Sequence, residues 1–247
     1  MTLSIERFPD AAQAAAALAQ AIGAGLGAAL RHQPRALLLV SGGRSPLVLF
    51  EALSAQPLDW TRIDISLVDE RCVRSDDSAS NAALVRSHLM CGAAAAARWI
   101  GLMPEDRALA GSDPWEWAQQ AAAEANANPA LARPAVVVLG VGTDGHTASL
   151  FADAAQWPLA RTTALRYLAV QPNSAPHARV SLSLAALRKQ GRCKVWAVGP
   201  DKLQVLMQLQ QSVAGPGSPT VTAGPVACLI ADPAVTLQAY CSEQSAA

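Results

Sequence analysis

Strand-like and helix-like segments alternate along nearly the whole chain, and that alternation limits the fold more than any other property of the sequence. Short apolar or β-branched runs at Ala36–Val40, Ile63–Val68, Ala135–Val141, Tyr167–Val170, Val180–Leu184, Lys194–Val198 and Val226–Ala231 read as strands. Between them, helical patterns fall at about Ala11–Arg31, Pro46–Ser54, Asn81–Met90, Pro114–Ala127, Asp201–Gln211 and Pro233–Tyr240. Parallel strands need crossover connections, usually helices, so this order predicts an α/β protein with a mostly parallel sheet covered on both faces. In such a sheet, ligand chemistry belongs in the loops at the carboxyl ends of the strands. A chain of 247 residues can bury a large core, and no linker forces a second unit, so residues 1–247 read as one domain. The low-complexity stretches Ala93–Ala97 and Ala214–Gly224 read as connectors.

Charge and cysteine usage narrow the function classes. Lysine plus arginine equals aspartate plus glutamate at 19 each, so no global field favours nucleic acid or an acidic membrane. Basic residues are scattered, and no zinc-finger, helix-turn-helix or RNA-binding motif is present, so any anionic ligand is expected to be small and locally bound. The five cysteines have no C-x-x-C spacing and are odd in number, which speaks against a disulfide framework or a zinc site and suits a reducing cytoplasm. Met1–Asp10 carries Glu6, Arg7 and Asp10 and lacks a secretory layout. Ala11–Leu30 is about long enough to span a bilayer, yet Leu18, Ile22, Leu26 and Leu30 recur on one side, which reads as a packing helix. A cytoplasmic protein without a membrane partner is expected.

The chemistry concentrates in Val136–Phe151. An apolar strand ends in Gly140, Gly142 and Gly145, which let the backbone turn sharply and approach a ligand, and Asp144 and His146 follow at once. Histidine titrates near neutral pH, so an acid–histidine pair at a strand exit suits proton transfer. The glycine spacing also fits the G-x-G-x-x-G dinucleotide turn, but that turn wants an acid about 20 residues on, at the end of the next strand. Here the next strand ends in Gln171-Pro172. A structural turn with a merely satisfied histidine is the plainer alternative.

Three other strand ends carry candidate ligand groups. Ser41-Gly42-Gly43-Arg44-Ser45-Pro46 precedes a helix, with Ser45 as N-cap and Pro46 as first helical residue, and its glycines free backbone N–H groups for an anion. It lacks the G-K-[ST] ending of a Walker loop. Asp69-Glu70-Arg71, followed by Ser80-Asn81, reads either as a solvated ion-pair cluster or as a guanidinium placed over the crevice of His146. Arg179 at a strand start, and Lys202 just after Val198-Gly199, are cations that suit a phosphate or the open surface.

Together, these motifs in this order resemble the 6-phosphogluconolactonases of the glucosamine-6-phosphate isomerase/lactonase superfamily. Ser41–Pro46 is similar to the family's SGGSTP loop, and Asp69-Glu70-Arg71 with Ser80-Asn81 to its DER…SN segment. Leu139–Phe151 is similar to LGxGxDGHTASLF, the most specific of the set, and Arg179–Leu182 and Gly199 with Lys202 to the late RITLT and GxxK elements. The resemblance implies a Rossmann-like, three-layer α/β/α fold of the lactonase, deaminase and ribose-phosphate isomerase type. It implies hydrolysis of 6-phospho-D-glucono-1,5-lactone in the oxidative pentose phosphate pathway, without metal or cofactor, by a monomer or small homo-oligomer. It also implies His146 as general base, Asp144 as its orienting partner and Arg71 near the reacting end. Ser41, Gly42, Gly43, Arg179 and Lys202 would hold the phosphate, with Asp69, Asn81, Gly142 and Gly145 completing the substrate site. Arg44 and Ser45, Thr143, Ala152 and Arg74 depart from the family pattern without removing a proposed catalytic side chain.

The lactonase chemistry is coherent in itself, since a δ-lactone is an activated ester that needs only modest help for attack by water. No G-x-S-x-G elbow or H-E-x-x-H appears, and Ser149 is the one serine near His146 that could serve as a nucleophile. The sister isomerase/deaminase reading would make Asp69 the proton-abstracting group. That branch carries DEY rather than Asp69-Glu70-Arg71, and a glutamate where this chain has Phe151. A third reading, a sugar-phosphate sensor, would normally bring a DNA-binding segment, and none precedes the first strand.

Overall fold

The computed structural model describes residues 2–43, 45–103, 113–214 and 224–244. Arg44 and residues 215–223 of the expected connector lie outside them. The strands are β1 (Leu3–Phe8), β2 (Ala36–Val40), β3 (Ile63–Leu67), β4 (Asp69–Arg71), β5 (Arg98–Trp99), β6 (Pro134–Gly140), β7 (Tyr167–Val170), β8 (Arg179–Leu182), β9 (Arg192–Val198) and β10 (Thr236–Ser242). The helices are α1 (Ala11–Leu30), α2 (Leu47–Ser54), α3 (Asn81–His88), α4 (Pro114–Ala127), α5 (Trp157–Thr162), α6 (Leu184–Gln190), α7 (Pro200–Ala214) and α8 (Pro225–Ile230). Seven strands form one sheet in the order β1-β10-β9-β6-β2-β3-β5, every pair parallel, and β4-β8-β7 form a small antiparallel sheet.

Burial explains the composition of β2, all five residues of which are buried and form a continuous apolar run, whereas β3, equally buried, alternates, with Asp64 and Ser66 set between Ile63, Ile65 and Leu67. Helix α1 starts at the Asp10 cap, whose carboxylate accepts the Gln13 N–H, and buries Leu18, Ile22 and Leu26 in the core. It packs on β10, β6, β2 and β9 with α2 beside it, so its length and apolar character serve a core helix here. Helices α6, α7 and α8 form a second group against β9 and β10. All the buried apolar residues of the described chain except Val73 and Ala227 form one continuous cluster.

Several boundaries differ from the sequence reading. Val226–Ala231 is helix α8, not a strand, and Pro233–Tyr240 is a loop followed by strand β10, not a helix. A short apolar run cannot reveal its own period, and all six residues of α8 are buried, so no polar face marks the helix; Pro225 at its first turn was the usable signal. Val180–Leu184 ends as a strand at Leu182, because the Ser183 hydroxyl caps α6 by accepting the Ala186 N–H. Ser45 is not the cap of α2; Pro46 takes that position without a side-chain bond. Gly92–Ala96 is a short 3₁₀ turn.

The topology fixes where a ligand can go. From β2 the chain moves outward to β3, whereas from β6 it returns, by way of the small sheet, to β9 on the other side. The crevice between the carboxyl ends of β2 and β6 is therefore a topological switch point. Ser41 closes it: its N–H donates to Val138 O at 3.0 Å, and its Oγ accepts the Gly140 N–H at 3.0 Å. At Asp69 the chain leaves β3 for the small sheet, which stays joined to the large one through the Leu182 N–H to Val68 O bond at 2.8 Å.

Candidate active site

A cavity of about 710 Å³ opens at this switch point. It is lined by Ser41, Gly42, Gly43, Asp69, Arg71, Asn81, Gly142, Asp144, His146, Arg179 and Lys202, so residues scattered over four strand ends meet in one space. Of the residues that the family resemblance assigns to catalysis or substrate binding, Gly145 alone is not on its wall. It turns the loop instead, at φ +79°, with its N–H donating to Gly142 O and its carbonyl accepting the Val226 N–H. Ser45, Thr143, Phe151, Ser174 and Ala175 also line the cavity.

The loop after β6 builds the proton-transfer end. The Gly142 N–H donates to His146 O at 2.9 Å, and the Thr147 hydroxyl donates to Gly140 O at 2.7 Å, which pins both ends of the turn. His146 Nδ1 lies 2.6 Å from Asp144 Oδ1. Ionised aspartate only accepts, so Nδ1 carries a proton, which makes Nε2 the lone-pair nitrogen whenever the ring is neutral. Burial raises the Asp144 carboxyl, but the His146 backbone N–H, charge and ring hydrogen bond outweigh it and hold Asp144 below the usual aspartate range. The imidazole stacks on Phe151, with ring centroids 4.2 Å apart and planes 23° apart. At Gly142, a Cβ would collide with both His146 Nδ1 and Asp144 Oδ1, which explains why this position needs glycine.

The small sheet brings two guanidinium groups to the same cavity. Asp69 pairs with Ser181 and Arg71 with Arg179 across β4 and β8. Alternation along a strand sends Asp69 and Arg71 to one face and Glu70 to the other. Two guanidinium residues directly opposite each other repel, which is tolerable where an anion sits between them. Arg179 is buried, with Nη1 on Ser149 Oγ at 3.2 Å and Nη2 on Pro176 O at 3.2 Å, while its Nε is buried without a partner. Burial lowers its pKa first of all; Asp69 and Glu70 raise it and Arg71 lowers it further. Arg71 Nη1 donates to Ala79 O at 2.6 Å, and its Nε is likewise buried and unpartnered. Lys202, in the first turn of α7, reaches Ser45 Oγ at 3.3 Å, and burial lowers its pKa.

The Asp69-Glu70-Arg71 run is therefore not a solvated ion-pair cluster. Glu70 is 2% exposed and acts as a bracket. Its carboxyl accepts the backbone N–H groups of Arg71, Asn81 and Ala82, tying β4 to the start of α3. Burial pushes Glu70 up to about 7, against the pull of those N–H donors. Asn81 Nδ2 donates to Asp69 O at 2.9 Å, and its side chain fills the space a Cβ on Gly42 would need. Among the described residues, no group of three or more histidine, cysteine or carboxylate side chains is placed to hold a metal ion.

Sequence reasoning named two further residues without finding their roles, Phe151 on the cavity wall and Ser149 beneath it. Phe151 was noted only for the glutamate it replaces, although its ring touches His146 and lies 5.3 Å from the Arg179 guanidinium carbon. Ser149 is fully buried and bonded to Asp69, so it is not displayed as a nucleophile. Of the departures from the family pattern, Ser45 and Thr143 line the cavity and Arg74 forms an exposed pair with Asp76.

Known proteins share both sequence and fold with this chain. The family described as "Glucosamine-6-phosphate isomerases/6-phosphogluconolactonase" matches residues 9–234. A 6-phosphogluconolactonase of Pseudomonas aeruginosa is 43% identical over 189 residues, covering 75% of this chain and 76% of its own. One from Neisseria meningitidis is 37% identical over 209 residues, covering 83% of this chain and 87% of its own. The crystal structure of a 6-phosphogluconolactonase from Shewanella baltica superposes with a TM-score of 0.84 at 34% identity, covering 97% of each chain. The sequence motifs, the parallel sheet with its switch-point cavity and these relatives agree: the chain belongs to the glucosamine-6-phosphate isomerase/6-phosphogluconolactonase family.

Proposed function

We propose that this chain, working as one domain over residues 1–247, hydrolyses 6-phospho-D-glucono-1,5-lactone to 6-phospho-D-gluconate in the pentose phosphate pathway. The observation that carries the reading is a single cavity lined by the His146–Asp144 pair, the opposed Arg71 and Arg179, and Lys202. The names of the relatives supply the substrate class. His146 Nε2 takes a proton from water as the water oxygen bonds to the lactone carbonyl carbon. The carbonyl π electrons move onto oxygen, and Arg71 or a loop N–H faces that charge. As the intermediate collapses, the bond to the ring oxygen breaks and His146 returns the proton to it. Arg179, Lys202 and the Ser41–Gly43 loop hold the phosphate, whose binding energy fixes the carbonyl before His146. Water is the only co-reactant, and no cofactor enters.

The apolar ring of Phe151 has no proton to relay, which favours the lactonase over the sister isomerase/deaminase. None of the five cysteines is in a disulfide, and four of them are buried, which goes with a cytoplasmic enzyme. A pH-stat or coupled assay on freshly made 6-phosphogluconolactone, corrected for spontaneous hydrolysis, tests the proposal. Turnover above background without ammonia release from glucosamine 6-phosphate is expected. Steady ammonia release, or no lactone turnover by folded protein, would overturn it.

A further inference from the structure

We propose that Ser149 is a positioning residue whose hydroxyl, set between Asp69 and Arg179, keeps that carboxylate and guanidinium from closing on each other and so leaves Arg179 for the substrate's phosphate. The inference rests on the reading of the cavity as a phosphosugar-lactone site. Ser149, Asp69 and Arg179 are 0%, 5% and 7% exposed. The Ser149 hydroxyl donates to Asp69 Oδ2 at 2.6 Å, and its oxygen accepts from Arg179 Nη1 at 3.2 Å. Both directions are forced, because an ionised carboxylate has no proton to give and a guanidinium has no lone pair to accept one.

In a buried setting the strongest alternative is a direct, two-pronged bond between Asp69 and Arg179. That bond would use the N–H groups a phosphate needs and would cancel the charge that attracts it. The hydroxyl prevents it while satisfying one group on each partner. Arg179, which lines the cavity, then keeps a second N–H on each of Nη1 and Nη2 beyond those given to Ser149 and Pro176.

The backbone is shaped to hold the hydroxyl there. Ala148, immediately before, sits at φ +50°, a conformation costly for a residue with a Cβ and one that the surrounding structure has to impose. The Ser149 N–H donates to Ser181 Oγ at 3.1 Å, fixing the residue against β8 beside Asp69 and Arg179. Ser149 does not line the cavity, so it acts through Arg179 rather than on the substrate.

The test compares wild type, Ser149→Ala and Ser149→Cys, the last keeping the volume with a weaker donor. In Ser149→Ala the KM for 6-phosphogluconolactone is expected to rise about tenfold or more, with kcat changed by less than about threefold. Calorimetry should show 6-phosphogluconate and inorganic phosphate binding weaker by a similar factor, with residual turnover of unphosphorylated gluconolactone unchanged. If Ser149→Ala does not fold, Ser149→Cys carries the test, with an expected affinity below wild type. Unchanged phosphate affinity in a folded variant, or equal losses on both lactones, would overturn the proposal. A wild type without lactone turnover would instead sink the functional reading, while calorimetry with inorganic phosphate would still decide the role of Ser149.

Discussion

His146 is held by two contacts of different kinds, one polar at Nδ1 and one aromatic against its ring. The aspartate sets which nitrogen is free, and Phe151 limits the ring's tilt. Under the proposed mechanism, His146→Ala loses about 10²- to 10⁴-fold in kcat while still binding 6-phosphogluconate, since general-base help is worth that much. A folded variant retaining more than half of wild-type kcat would refute the assignment. Gly142→Ala tests the same end from the backbone. The added methyl displaces the imidazole, and a misplacement near 1 Å costs roughly 10²-fold, so kcat should fall with little change in product affinity. Arg71 is tested by Arg71→Lys, which keeps the charge but loses the planar fork. Its kcat/KM for the lactone is expected to drop at least tenfold, about 1.4 kcal/mol of transition-state stabilisation. Undiminished activity would make Arg71 peripheral.

At the scale of elements, Asp64 in β3 shows how a buried charge is secured away from the site. It accepts from Arg98 Nε at 2.9 Å, Arg98 Nη2 at 2.6 Å and Arg35 Nε at 2.8 Å, clamping the short edge strand β5 to the sheet. Burial raises its carboxyl, but the bonds and charges of Arg98 and Arg35 lower it below the ordinary value of 3.8. A depressed carboxyl stabilises the fold above its unfolded pKa and loses that contribution as pH falls through the folded value. Asp64→Asn is therefore expected to cost about 1–3 kcal/mol at pH 7, with the gap to wild type closing below about pH 4 in denaturant melts. A gap independent of pH would refute the charge argument. The same elements show what was legible in the sequence. Strands β2 and β7 and helix α4 match their expected limits, because a largely buried strand is a closed apolar run and α4 carries Asp113-Pro114 at its start. The site's loop residues were readable because turns, caps and ion chemistry are local. Helix α8 and strand β10 were exchanged because their identity comes from burial by distant partners. Strand β1, with Glu6 and Arg7 inside it, and the inward turn of Ser149 are likewise set by the tertiary fold.

For the whole molecule, the opposed Arg71 and Arg179 make the empty cavity a place of repulsion that an anion relieves. Ligand bound only to the folded state at about 100 times its Kd adds roughly 2.7 kcal/mol of stability, or about 5–10 °C in Tm for a chain of this size. Thermal melts with 6-phosphogluconate should show a rise of that order, and Arg179→Ala should lose most of it. An unshifted wild type would argue against an anion site. The sheet's outer edge has a different consequence. Among the described residues strand β1 pairs with β10 alone, Leu3 beside Leu237 and Phe8 beside Ser242, so its partner is synthesised long after it. On a ribosome, residues 3–8 emerge early and wait, their hydrogen-bonding groups open, until residues 236–242 arrive. A nascent chain stopped short of β10 leaves β1 and β9 both with open edges, the kind of template on which another chain can pair.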